Sequence, residues 1–445
     1  MRPIPRADVI DTLFMAIFMF GIATGIDFKL GAGLPVPAVI AGFAAGLMLI
    51  RRMSLIQERH LFAMLVLLLI FVASVLCASG YEMINERFKG LIQLTYSLVI
   101  AYALFLTVTL YDREQLARVF LVACILIIIG TALEVNTGFR AVSDAFRVKV
   151  FSFGVYQSDM RDLMLYGRVR PKFFTSEPSA ISFAFLLFAF CWYGLTRIPG
   201  KVFGFFALLA AGYVFMRGPT LLLGLPLAGA YELFLAPRFN GPLPGKLNVV
   251  RVVFGVAACG ILAVVFVVAG AALFSERLNQ ILLRGDQSFF YRIVGPALVT
   301  IEALQHYPLA GIGITGEEFI ENQVWQIYFN SPMVMVQTRT NPINTVITNY
   351  FWLHWLYFGI GFGIIVLLGV HWWLRKLGTP SIMFCWIVWL TFGQASGAYV
   401  SPKTWCVLAF AAAIARLHEL QPSGRYLPMP QRLIRPAWAG PRPVG

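Results

Sequence analysis

The chain has 445 residues, 59% of them hydrophobic and 13% charged, with a formal net charge of +14. Soluble domains hold roughly 45–50% apolar and about 25% charged residues, and a single core stops growing near about 250–300 residues. A water-soluble fold is excluded. Lipid tolerates only helices and closed barrels, because an unpaired backbone N–H or C=O costs several kcal/mol there. The apolar runs, such as 61–79, are continuous and lack the alternation of barrel strands. The expected class is an all-α integral membrane protein with about 12 transmembrane helices.

In chain order, the spans are predicted near 9–27, 33–50, 61–79, 91–110, 116–134, 178–196, 202–216, 219–236, 252–273, 345–370, 381–396 and 403–417. Arg2 and Arg6 precede the first, as they would a signal peptide, but apolar helices follow at once and a retained span is expected. The six cysteines (Cys77, Cys124, Cys191, Cys259, Cys385, Cys406) all lie in apolar runs and read as packing or lipid-facing residues.

Lys and Arg in short connections set orientation. With a cytoplasmic N-terminus, the inner connections carry Arg51, Arg52, Arg59, Arg113, Arg118, Arg197, Lys201, Arg238, Lys246, Arg251, Arg375 and Lys376. The short outer turns carry only Lys29, Arg87, Lys89, Arg217 and Lys403. Both termini are therefore expected on the cytoplasmic side. Residues 1–417 form the membrane domain, and the basic, proline-rich 418–445 is a disordered cytoplasmic tail suited to anionic lipids. Two long connections, about 135–176 and 274–344, fall on the outer side. They are rich in apolar and aromatic residues and are predicted to carry short amphipathic helices. Their arginines suit either an anionic ligand or plain solvation.

Within the first connection, Arg170 precedes Ser176-Glu177-Pro178. This triplet reads as a helix start, with serine as cap, an acid in the first turn and proline where its missing N–H does no harm. The Glu177 carboxylate also suits a general base. In the Met216-Arg217-Gly218-Pro219 turn the arginine cannot travel far from the apolar runs it joins. Such an arginine either snorkels or has a partner. In the second connection, residues 286–306 read as an amphipathic helix with Ser288 and Arg292 one above the other, off the apolar stripe. Pro296 removes the N–H that would bond the Arg292 carbonyl. Pro308, Gly311 and Gly313 then turn the chain sharply back.

These residues resemble the O-antigen polymerase and ligase superfamily of bacterial envelope glycosyltransferases. Ser288-x3-Arg292 followed by His306-Tyr-Pro-Leu-Ala-Gly-Ile-Gly313 is similar to the signature of that family's large periplasmic loop. Met216-Arg217-Gly218 is similar to its Ser-Arg-Gly turn. Thr348-Asn349, with Gly359-Ile-Gly361 further on, resembles the His-Asn signature after the loop, and Phe174-Thr-Ser-Glu-Pro-Ser179 a motif of polysaccharide polymerases. Ligases carry histidine where this chain has Thr348, and His354 lies almost two turns deeper on another register. The likeness is thus closest to Wzy-type polymerases.

The resemblance implies a bacterial inner-membrane enzyme that joins undecaprenyl-pyrophosphate-linked oligosaccharides at the periplasmic face, with neither metal nor other cofactor. Arg292 and Arg217 would stabilise the leaving pyrophosphate, and Arg170, Arg339, Ser288 and Asn349 would bind substrate. The base would be Glu177 or a glutamate of the second loop, Glu317 or Glu318. Expected partners are the lipid-linked glycan, anionic lipids, and a chain-length regulator and flippase of the same pathway. Nucleic acid is not among them. A ligase acting on lipid A core or protein is the alternative within the class. A lipid-linked-sugar flippase or transporter is the alternative outside it, although ionisable groups are scarce inside the spans and no internal repeat is visible.

Overall fold

The run from Ile181 to Leu195 has no polar face to offer solvent, and every side chain in it is buried. A helix apolar on all sides belongs at the centre of a bundle. That helix, α8 (Pro178–Leu195), is a buried element of the computed structural model, which describes residues 7–30, 34–151, 156, 159–239, 253, 255–261, 263–265, 268, 287–331, 343 and 346–421.

The helices before it are α1 (Val9–Thr24), α2 (Val39–Arg51), α3 (Glu58–Cys77), α4 (Ile84–Val108), α5 (Arg113–Asn136), α6 (Phe139–Val150) and α7 (Asp159–Tyr166). After it come α9 (Lys201–Met216) and α10 (Gly224–Ala230), which runs on through a π turn to Phe239. Next are α11 (Gly295–His306), α12 (Glu321–Phe329), α13 (Tyr350–Lys376), α14 (Ile382–Gly393) and α15 (Pro402–Leu420). α8 packs against α1, α5, α9 and α15, while α15 also packs along α4 and α14. The buried Ala409, Ala411, Ala412, Ala413 and Ala415 let neighbours approach α15 closely, as small residues do between helices in lipid.

Among the described residues, five helical stretches are long and apolar enough to cross a membrane: Glu58–Cys77, Tyr81–Val108, Arg113–Asn136, Pro178–Leu195 and Tyr350–Lys376. The outer ones are apolar on both faces. On α5, Leu116, Phe120, Cys124, Ile127 and Thr131 are buried at helical spacing, yet Val122, Ile125, Leu126, Ile129 and Leu133 are exposed. An exposed face of this kind is costly in water and suits lipid. All six cysteines are free; five are buried and Cys77 is exposed.

Helices occupy the first eight and last three of the predicted windows, and of the ninth, 252–273, the described residues 253, 255–261, 263–265 and 268 are helical. The second window needs correction. Its helix begins only at Val39, because Phe28–Leu30 and Leu34–Val36 pair as an antiparallel hairpin, β1–β2. Pro35 and Pro37 cannot donate helical hydrogen bonds, and the Ala38 N–H bonds the Asp27 carboxylate instead (3.1 Å).

The starts of α1 and α5 and the ends of α2, α8 and α15 gather at one end of the bundle. There Arg51 pairs with Asp8 and Arg52 with Asp11, and the Gln421 carbonyl accepts from Arg113 (3.0 Å) and Arg197 (3.1 Å). The described parts of the two long connections lie at the other end. They carry α6 and α7 in the first, α11 and α12 in the second, and they meet each other.

Candidate active site

A cavity of about 180 Å³ opens where the two connections meet. Arg161, Tyr166 and Arg170 line it from the first, Glu177 and Ser179 from the head of α8, and Thr220 from the turn after α9. Ser288, Tyr291, Arg292 and Thr348 line it from the other side.

The backbone that presents Arg292 is explained by Pro296. Without a proline N–H to bond it, the Arg292 carbonyl leaves the regular ladder, and Phe290–Val294 opens into a π turn. The freed carbonyl accepts from Asn349 Nδ2 (2.9 Å), and Thr348 Oγ1 donates to the Tyr291 carbonyl (3.1 Å). Asn349 is fully buried; its Oδ1 also caps α13, accepting from Phe351 N (3.1 Å) and Trp352 N (3.4 Å). Asn349 therefore does not line the cavity. It fixes the turn that carries Arg292, while Ser288 and Thr348 do line the cavity.

Glu177 departs from the helix-start reading. The helix begins at Pro178, so Glu177 occupies the capping position, in extended backbone, and its side chain bonds none of the helix amides. Its carboxylate accepts from Ser179 Oγ and stands 3.9 Å from Arg292 Nη2. Ser176 is not the cap.

Arg170 is held rigidly. Its Nε and Nη2 donate to Asp162 Oδ1 (2.9 and 2.8 Å), and its guanidinium lies 4.2 Å from the Tyr166 ring centre. Tyr156 donates to the same Asp162 oxygen (2.8 Å). Burial works against the Arg170 charge, but Tyr166 and Asp162 outweigh it and raise its pKa above the ordinary arginine value.

Arg217 does not line the cavity, although Gly218, Pro219 and Thr220 do. It ends α9 in left-handed backbone (φ 46°), and its guanidinium donates to the Tyr166 carbonyl at the end of α7. Arg168 reciprocates from the α7 side, donating to the Val214 and Phe215 carbonyls of α9. Two helix C-termini are thus capped by each other's arginines.

Glu317 and Glu318 are also outside the cavity. Glu317 is buried and accepts from the Tyr357 hydroxyl, with burial pushing its pKa up, and Glu318 is exposed. His354 is buried between the Tyr399 hydroxyl and the Gly363 carbonyl (both 3.1 Å). Arg339 lies outside the described residues. Among the described residues, no three His, Cys, Asp or Glu side chains are grouped as metal ligands.

The glycine motifs form an interlock behind the cavity. Gly359 interrupts α13 with φ 62° and ψ −169°, which opens its backbone to the return after α11. Ile312 N and Gly313 N donate to the Leu356 and Tyr357 carbonyls (3.0 and 2.9 Å), and Ile360 N donates to the Pro308 carbonyl (2.6 Å). A Cβ on Gly359 would stand 2.6 Å from that carbonyl and 2.7 Å from Gly311 N.

Asp162, Tyr156, Tyr166 and Tyr291 escaped the sequence reading, in which Arg161 counted only as one of the basic residues of the first connection. The one local signal was Asp162 and Tyr166 four apart on a short helix. What the arrangement offers is three guanidinium groups around a small polar space, with one carboxylate beside Arg292. No known family model matches the chain, and no characterised protein matches it.

Proposed function

We propose that the protein is a polysaccharide polymerase of the periplasmic face of the bacterial inner membrane, with both termini cytoplasmic. It transfers a glycan from one undecaprenyl pyrophosphate to the end of another lipid-linked repeat. The observation that carries this reading is the convergence of Arg161, Arg170 and Arg292 with Glu177 in one cavity, from segments far apart in sequence. The Lys/Arg asymmetry of the short connections supports an outer-face location for that cavity.

An acceptor hydroxyl attacks the anomeric carbon of the donor, and the bond from that carbon to the pyrophosphate oxygen breaks. The hydroxyl proton passes to Glu177. Electrons and negative charge move onto the pyrophosphate, where fixed guanidinium groups act most strongly in a site short of water. Arg170 arrives already oriented by Asp162 and Tyr166, so little reorganisation is left for the reaction. Ser288, one helical turn before Arg292, orients the phosphate or the adjoining sugar. Arg217 acts from behind, holding Tyr166 in place.

A glycan gel of a deletion strain tests this. A polymerase mutant leaves single repeats attached to the acceptor. Long polymer stranded on the carrier would show a ligase, and neither product a flippase.

A further inference from the structure

Just before Glu177 the backbone does something costly. Phe173 and Phe174 both have positive φ, 34° and 60°. Residues with a bulky side chain avoid this region, and two in succession persist only where the surroundings over-determine them. A loop with nothing to do but connect would place glycine or asparagine there.

The surroundings do over-determine it. Glu134, at the end of α5, accepts from two consecutive amides, Lys172 N (3.0 Å) and Phe173 N (2.5 Å). The next amide, Phe174 N, donates to Ser143 Oγ of α6 (3.2 Å). Arg147 of α6, fully buried and paired with Asp144, donates from Nε to the Thr175 carbonyl (2.7 Å) and from Nη2 to the Ser176 carbonyl (2.9 Å). Thr175 Oγ1 closes the turn on the Glu177 carbonyl (2.9 Å). The Phe174 ring packs edge-on against Phe139 and Phe146 of α6. Side chains of α5 and α6 thus hold three successive N–H groups and two successive carbonyls, and the next side chain along is Glu177. It is the one that leaves its helix uncapped and stands beside Arg292.

We propose that Glu134 and Arg147 are positioning residues, which hold 172–176 in this left-handed turn so that Glu177 faces Arg292 instead of capping α8. This rests on the reading of Glu177 as the base, but its geometry can be tested without that reading. Glutamine at 134 keeps the shape but has one acceptor oxygen, so its amide NH2 would oppose one of the two backbone N–H groups.

The test is cross-linking of a Glu177→Cys, Ser288→Cys pair by a short bifunctional thiol reagent, in membranes and with Cys77→Ser. Adding Glu134→Gln should slow cross-linking about tenfold, the order expected when one charge-assisted hydrogen bond is lost. In the otherwise native protein, Glu134→Gln should lower kcat with KM little changed. Arg147→Lys, which keeps the charge but cannot span both carbonyls, should act in the same direction and serves if the glutamine variant fails to insert. Unchanged cross-linking in both variants overturns the proposal, whatever happens to polymer length. Slowed cross-linking alongside a Glu177→Gln protein that polymerises normally supports the clamp and removes Glu177 as base.

Discussion

Replacing Arg292 by lysine separates a catalytic guanidinium from a structural one. Among the described residues its paired opposite charge is Glu177, 3.9 Å away. At an effective dielectric of about 20, Coulomb's law gives roughly 4 kcal/mol for that separation. The two side chains are 24% and 47% exposed, however, and pairs open to water measure about 0.2–1 kcal/mol. The smaller figure applies. The anchor to α13 is also spared, because Asn349 bonds the Arg292 backbone carbonyl, which lysine retains. Arg292→Lys should therefore cost at most about 1 kcal/mol of stability. If the guanidinium grips pyrophosphate in the transition state, its planar fork is lost, and removal of such a donor costs about 2.7–4 kcal/mol, or a hundred- to thousandfold in rate. The assay pairs glycan gels with turnover of a purified lipid-linked repeat, at equal membrane abundance by immunoblot. Arg118→Lys, exposed at the other end of the bundle, is the control. Wild-type chain length and rate in Arg292→Lys would refute the reasoning.

The other expectations are as specific. Arg217→Lys should be milder than Arg292→Lys, since lysine can still donate to the Tyr166 carbonyl; equal collapse in turnover would mean that Arg217 touches substrate. Glu177→Gln should stop polymerisation without lowering the unfolding temperature, because the carboxylate caps no helix; normal polymer at normal abundance would eliminate it as base. Gly359→Ala should destabilise by about 1–3 kcal/mol, because its Cβ would meet the Pro308 carbonyl in a backbone region that alanine avoids; an unchanged thermal midpoint contradicts the interlock. A cysteine at Asn322 should react with an impermeant thiol reagent from the periplasm and one at Arg118 should not; the reverse pattern inverts the orientation.

The helices were legible because lipid demands long apolar runs and forbids unpaired backbone, so composition alone marks them. The β1–β2 hairpin was missed because hydropathy counts Leu34 and Val36 as span residues, although Pro35 and Pro37 between and after them forbid a helix there. In the site, Ser288 and Arg292 were visible together because helical spacing fixes their common side. Glu177 was ambiguous because Ser-Glu-Pro is equally good chemistry for a helix start, and only the tertiary anchoring of 172–176 turns its carboxylate away. The Arg217 turn was plain in sequence, but not its direction. Whether a guanidinium at a helix end faces a cavity or the carbonyls of a neighbouring helix depends on what docks there, and α7 docks there through Arg168.

The glycines suggest why the motif segments are spaced as they are. Gly311 and Gly313 were read as a turn and Gly359 as part of a helix signature, yet each needs the other. The break in α13 frees the Leu356 and Tyr357 carbonyls, and the return after α11 supplies the N–H groups that satisfy them. One end of α11 is thereby pinned to the middle of α13. Asn349, at the start of α13, pins the π turn at the other end. Arg292 hangs between two anchors on a single helix. Its distance from Glu177 is then set by how α13 and α8 sit in the bundle, rather than by the loop that contains it. A site built mostly on connections acquires in this way the rigidity of the helices beneath it, which the proposed stabilisation of a leaving pyrophosphate at a fixed point would require.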